Sequence, residues 1–206
     1  MKVLLVNGSP RPAGCTYTAL SEIAAELEQC GVQAEIFQAG AAPIGGCIGC
    51  GGCAGKGACV FGGPVNELIE KAKTADGFIF GTPVHYASAS GALTSLLDRA
   101  FYAGSGNFRF KPGAAVASAR RAGTTAALDQ VQKYFTITNM PIVGSQYWNM
   151  VHGNTPDEVR QDAEGLQTLR QLARNMAWLL KCIEAGRAAG VPMPGEEPRM
   201  RTNFIR

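Results

Sequence analysis

Apolar residues along the chain fall into short continuous runs that alternate with stretches of helical spacing. Val3-Leu4-Leu5-Val6 is such a run, and Asn7-Gly8-Ser9-Pro10 ends it, the pattern of a strand buried on both faces that opens into a turn. From Thr16 onward Ala19, Leu20, Ile23, Ala24 and Leu27 recur at helical spacing until Gly31 stops them, so an amphipathic helix follows the turn directly. The alternation continues with a strand over Val32 to Phe37, a helix over Pro64 to Ala75 and a strand over Gly77-Phe78-Ile79-Phe80. Next comes a helix burying Leu93, Leu96, Leu97, Ala100 and Phe101. Ala114 to Ala117 and Ile142-Val143 supply two further strands around a helix that buries Leu128, Val131 and Phe135. Thr155-Pro156-Asp157-Glu158 combines an N-cap hydroxyl, a proline at the first helical position and a capping-box glutamate, which predicts the start of a C-terminal helical region. Its apolar face is Leu166, Leu169, Leu172, Met176, Leu179 and Leu180, and the helix plus tail spans 155–206.

Five strands alternating with helices predict an α/β fold: a doubly wound five-stranded parallel sheet with helices on both faces and right-handed crossovers. In such a sheet a ligand sits at the C-terminal strand ends, where the strand order reverses. One domain over 1–206 is the expectation at this length. Residues 38–63 break the rhythm with a long loop that holds ten glycines and four cysteines, and loops of that length inside compact folds are commonly functional.

Composition narrows the class. Hydrophobic residues make up 46% and charged residues 17%, as in ordinary globular proteins. The net charge of +3 is too small for a nucleic-acid footprint, and the small basic bias of Arg199, Arg201 and Arg206 reads as a solvated tail. No apolar run reaches the length of a membrane span, and Val3 to Val6 is too short for a signal-peptide core. A cytoplasmic protein is therefore expected. In a reducing compartment, four cysteines packed between Cys47 and Cys59 argue for metal or redox chemistry rather than a disulfide framework. Cys30 and Cys182 read as core residues on apolar helix faces.

The loop from Asn7 to Thr16 joins the first strand to a helix N-terminus, where free N–H groups and the helix dipole favour an anion. Ser9 and Thr16 add hydroxyls, Gly14 and Cys15 add backbone N–H groups, and Arg11 can grip a phosphate with two hydrogen bonds. The Gly-Lys-Ser/Thr ending of a nucleotide P-loop and the glycine spacing of a dinucleotide fingerprint are both missing, which disfavours ATP and a Rossmann-bound NAD. The second candidate is C-x2-C-x2-C-x5-C at Cys47, Cys50, Cys53 and Cys59, with glycines that let the backbone turn tightly. This spacing suits a [4Fe–4S] cluster; zinc, which more often uses two separated pairs, and a thiol-bearing redox-sensing loop are the alternatives.

Gly8 to Arg11 with Thr16 resembles the first loop of the NADPH-dependent FMN reductase superfamily of flavodoxin-like proteins, with Cys15 where that family usually has Asn or Ser. Gly81-Thr82-Pro83-Val84-His85-Tyr86-Ala87-Ser88 with downstream Leu97-Asp98-Arg99 is similar to the stretch that runs beside the flavin ring in that family. Gly123 and Thr124 stand where the superfamily contacts the pyrimidine end of the flavin. The cysteine motif, Gly144 to Asn149 and Asp162 to Gly165 resemble its iron–sulfur flavoprotein branch, although Gly62-Gly63 replaces the acidic pair often found after the fourth cysteine.

The resemblance implies an FMN cofactor held by Ser9, Arg11, Gly14, Cys15, Thr16, Pro83, Val84, His85, Tyr86, Ser88, Gly123 and Thr124. FMN rather than FAD is expected, since no second nucleotide-binding unit is visible. The flavin N5 would carry the chemistry, so no catalytic side chain is assigned. The leading expectation is electron transfer from NAD(P)H through FMN to a small acceptor such as free flavin, a quinone or a nitro compound. The alternative is delivery of electrons from ferredoxin through a [4Fe–4S] cluster. A homodimer or homotetramer is implied as well, with Tyr147 and Trp148 covering a neighbour's site.

Overall fold

The computed structural model describes every residue except 40, 41, 196, 199, 201, 203, 205 and 206. The three tail arginines noted for their charge thus lie outside the described residues. Six strands and six α-helices are described: β1 (Lys2–Asn7), α1 (Cys15–Gln29), β2 (Gln33–Gln38), α2 (Pro64–Thr74), β3 (Gly77–His85), β4 (Ser88–Ala89), α3 (Gly91–Gly104), β5 (Gly113–Ala119), α4 (Thr124–Ile137), β6 (Met150–His152), α5 (Pro156–Gln161) and α6 (Ala163–Ala188). The main sheet runs β2-β1-β3-β5-β6 with parallel pairings throughout.

Successive residues of a strand face opposite sides, and this alternation divides the core in two. Leu4, Val6, Phe78 and Phe80 face α2, α3 and α4, while Val3, Leu5, Ile79 and Val116 face α1 and α6. The first layer is aromatic. Phe80 stacks on Phe135 with ring centroids 5.4 Å apart and meets the edge of Phe101 at 6.2 Å, and β5 accommodates these rings by offering Ala115 and Ala117. The second layer is aliphatic and is flanked by the Arg174–Glu26 ion pair at 2.7 Å between α6 and α1.

Four expectations are corrected. The sheet has six strands rather than five, because β4 folds back antiparallel on the end of β3, pairing Val84 with Ala89 and His85 with Ser88. The edge strand is not Ile142-Val143. Ile142 makes a single bridge to Gly113, residues 144–148 loop out, and β6 pairs further along β5. The C-terminal helical region is two helices, since Asp162 ends α5 and caps α6. Its carboxylate accepts from the Gly165 N–H at 3.0 Å and from the His152 N–H of β6 at 2.7 Å. Cys182 is exposed on α6, and Cys30 is only half-buried. Among the described residues, no helix is long and apolar enough to cross a membrane.

Candidate functional site

The strand order reverses between β1 and β3, and the loops leaving β1, β3 and β5 meet above that point. Their contacts are close. The Gly8 N–H donates to the Gly81 carbonyl at 2.8 Å, and the Ser90 hydroxyl, N-cap of α3, donates to the Gly8 carbonyl at 2.8 Å. A Cβ on Gly8 would stand 2.7 Å from the Leu93 Cβ and 2.8 Å from the Gly81 oxygen, so only glycine permits this approach.

Within the first loop, the buried Asn7 accepts from the Ser9 N–H at 3.1 Å and donates to Gln38 at 2.5 Å, while Gln38 returns a bond to the Ser9 carbonyl at 2.8 Å. The Ser9 hydroxyl accepts from the Arg11 N–H at 3.1 Å. Gly14 precedes α1 and no side chain caps that helix, which leaves its first-turn N–H groups open to an anion. Arg11 is exposed beside this turn. Two predicted residues point elsewhere with their side chains: the buried Thr16 hydroxyl lies 2.8 Å from that of Ser118, and the Cys15 thiol donates to the Gly153 carbonyl at 3.7 Å. Cys15 then offers an anion its backbone N–H, and Thr16 its N–H together with its hydroxyl proton when Ser118 is the donor of their shared bond.

The second loop is a hairpin. Pro83, Val84 and His85 end β3, Ser88 begins β4, and Tyr86 and Ala87 form the turn with φ of 49° and 60°. Positive φ at both central residues matches the twist of the strands, but it strains residues that are not glycine. Tyr86 is fully exposed. The hairpin is held by Gln130 of α4, which accepts from the Ala89 N–H at 3.0 Å, and by Thr82, which accepts from the Ser90 N–H at 2.9 Å. The third loop leans on it. Gly123, the N-cap of α4, has a φ of 92°, and a Cβ there would lie 2.6 Å from the Ala87 Cα. Thr124 is buried, and its hydroxyl donates to the Met150 sulfur at 3.2 Å.

The cysteine loop forms a second centre against α3. Cys47, Cys50, Cys53 and Cys59 all line one cavity of about 130 Å³ with Arg99 and Tyr102, and its lining is almost wholly apolar. Gly49 and Gly51 flank Cys50 with φ of 66° and 67°, the turns that bring its neighbours together. Asn66 of α2 fixes Cys59 by accepting from its N–H at 2.8 Å and donating to its carbonyl at 3.0 Å. Burial opposes ionisation of the Cys59 thiol, but the Phe61 backbone N–H and the Arg99 guanidinium outweigh it and hold the thiol below its usual range. No three His, Cys, Asp or Glu side chains among the described residues are gathered as a site for a metal ion. Four cysteines lining one apolar cavity nevertheless supply the soft, all-sulfur donor set that an iron–sulfur cluster takes.

Residues 1–155 match the family described as NADPH-dependent FMN reductase. The chain belongs to this family. Within it the chain groups with the iron–sulfur flavoproteins: it is 33% identical over 192 residues to one from Methanocaldococcus jannaschii, covering 89% of this chain and 100% of that one. Among solved structures, RosB with a bound 8-demethyl-8-formylriboflavin-5'-phosphate superposes with a TM-score of 0.68 at 14% identity, covering 100% of this chain and 92% of that one. A flavodoxin from the domain Archaea gives 0.60 at 15% identity, covering 88% and 99%. The fold is thus flavodoxin-like. As an FMN reductase family member the chain is an FMN-dependent oxidoreductase.

Sequence reasoning gave no role in these sites to Gln38, Asn66 and Ser90, and it quoted Arg99 only within the Leu97-Asp98-Arg99 motif, with no link to the cysteines. One left a signal. Arg99 falls on the apolar stripe of its helix with Leu96 and Ala103, where a charge needs a dedicated partner.

Proposed function

We propose that this FMN-dependent oxidoreductase takes electrons from a reduced nicotinamide and passes them to a small acceptor such as free flavin or a quinone. The observation that carries the reading is the mutual contact of the three loops, which leaves an uncapped helix N-terminus and Arg11 open beside the hairpin. FMN, when bound, supplies hydride and single-electron transfer at N5. The chain's part is placement. Arg11, the Ser9 hydroxyl and the N–H groups of Cys15 and Thr16 would hold the phosphate, while Gly14, whose N–H donates to the Arg11 carbonyl at 3.3 Å, would turn the chain into the helix beneath it. Pro83, Val84, His85, Tyr86 and Ser88 would border the ring, and Gly123 and Thr124 its pyrimidine end.

The four-thiol cavity favours a second reading, in which Cys47, Cys50, Cys53 and Cys59 hold a [4Fe–4S] cluster that receives electrons from ferredoxin. Anaerobic mixing with NADPH, NADH and reduced ferredoxin, followed by flavin bleaching, separates the two. Bleaching by a nicotinamide is the expected result; bleaching by ferredoxin alone would replace the first reading with the second. Iron and sulfide analysis of anaerobically reconstituted protein should find the cluster and lose it when Cys50 and Cys53 become serine.

A homodimer or homotetramer is part of the same proposal. Tyr147 and Trp148 are 56% and 55% exposed, packed edge to face at 4.7 Å, so neither plugs the core of its own subunit. Covering them against a second copy would remove apolar surface from water. Sedimentation at micromolar concentration should show more than one copy per particle; a monomer would refute this.

A further inference from the structure

Arg99 lies on the buried face of α3 with 9% of its surface exposed, and its donors are met by the cysteine-bearing segment. Nε donates to the Cys59 sulfur at 3.3 Å, Nη1 to the Gly45 carbonyl at 3.3 Å and Nη2 to the Gly62 carbonyl at 3.1 Å. Gly45 and Gly62 stand just outside the first and fourth cysteines. One planar guanidinium therefore ties both ends of the segment and one of its sulfurs to the helix, and none of these partners is a carboxylate. The Phe61 ring lies 5.9 Å from the guanidinium carbon and helps cover it. One turn further along α3, the Tyr102 carbonyl accepts from the Cys53 thiol at 3.9 Å.

We propose that Arg99 is the positioning residue of the four-cysteine centre: it closes the loop into a cavity before metal enters, and its N–H bond to the Cys59 sulfur raises the reduction potential of the cluster held there. The proposal rests on the cluster reading given above. A reduced cluster carries one more negative charge than an oxidised one, and a hydrogen bond or a cation at a ligating sulfur stabilises the reduced form more. Lysine cannot substitute. Its point charge can satisfy one of the three acceptors well, whereas the rigid fork of arginine reaches all of them.

The test compares the wild-type chain with Arg99→Lys and Arg99→Gln, all FMN-bound and prepared anaerobically. Hydrogen–deuterium exchange over residues 45–62 is read before iron is added, and the midpoint potential of the cluster is read by redox titration with electron paramagnetic resonance after reconstitution. Both variants should exchange faster over 45–62 with unchanged exchange in α1 and β1. Their cluster potentials should move to more negative values, further in Arg99→Gln, which also loses the charge. A loop that exchanges as slowly as wild type, or a cluster at the wild-type potential, overturns the proposal. Where a variant fails to hold a cluster, its exchange decides by the same criterion. Wild-type protein that takes up no iron and sulfide overturns the cluster reading itself, a separate failure that the control reveals first.

Discussion

Gly123→Ala should destabilise the protein by about 2–5 kcal/mol and strip it of flavin, because two costs coincide at one atom. The first is conformational: φ is 92°, a region that residues with a Cβ adopt only with strain. The second is steric. The new methyl would lie 2.6 Å from the Ala87 Cα and 2.9 Å from the Val84 Cγ1. The nearer atom is backbone and cannot swing aside, so relief requires moving the hairpin tip, whose Tyr86 and Ala87 already sit at positive φ. That motion would displace the segment proposed to border the ring. Denaturant unfolding and the flavin content of purified protein measure the two effects. Gly91→Ala is the control, since nothing lies within 4 Å of its Cβ position, and it should change neither. Native stability with full flavin occupancy in Gly123→Ala would show that the third loop does not bear on the hairpin.

Arg11→Ala should weaken FMN binding by about 1.5–3 kcal/mol, the worth of hydrogen bonds to a charged group. This corresponds to a dissociation constant raised roughly 10- to 150-fold. Arg11 is exposed, so the loss should shrink toward the lower figure as salt rises. Stability of the flavin-free protein should stay unchanged, since only the backbone of Arg11 is engaged within the loop, through its N–H to Ser9 and its carbonyl to Gly14. Titration of the flavin-free protein with FMN, followed by flavin fluorescence, gives the affinity directly. Full affinity in the variant would remove Arg11 from the phosphate site and leave that task to the α1 N-terminus.

The elements that were legible are those whose signal is local. Val3 to Val6 and Phe78 to Phe80 announced strands by unbroken apolarity, and α1, α3 and α4 by their spacing, because each buries a face along its whole length. The errors fall where pairing rather than pattern decides. β4 has two residues and no periodicity of its own; it exists because Thr82, Gln130 and β3 hold it. Ile142-Val143 looked like a strand because both residues are apolar, yet the loop at 144–148 carries the chain away and the stronger pairing with β5 forms at Met150–His152. Asp162 broke a predicted helix because its carboxylate serves the β6 edge and the α6 N-terminus together.

The α/β alternation, the polar turn that Gly8 opens at the end of the first strand and the spacing of four thiols are each written in neighbouring residues, and for that reason the sequence alone discloses them. Only the fold sets which partners the hydroxyls meet: it turns Thr16 toward Ser118 and Thr124 toward Met150. It also set Arg99 between Gly45, Cys59 and Gly62, partners between 37 and 54 positions away along the chain. A buried charge takes its role from the acceptors that the fold brings to it, and the spacing of its own helix says only that such acceptors must exist.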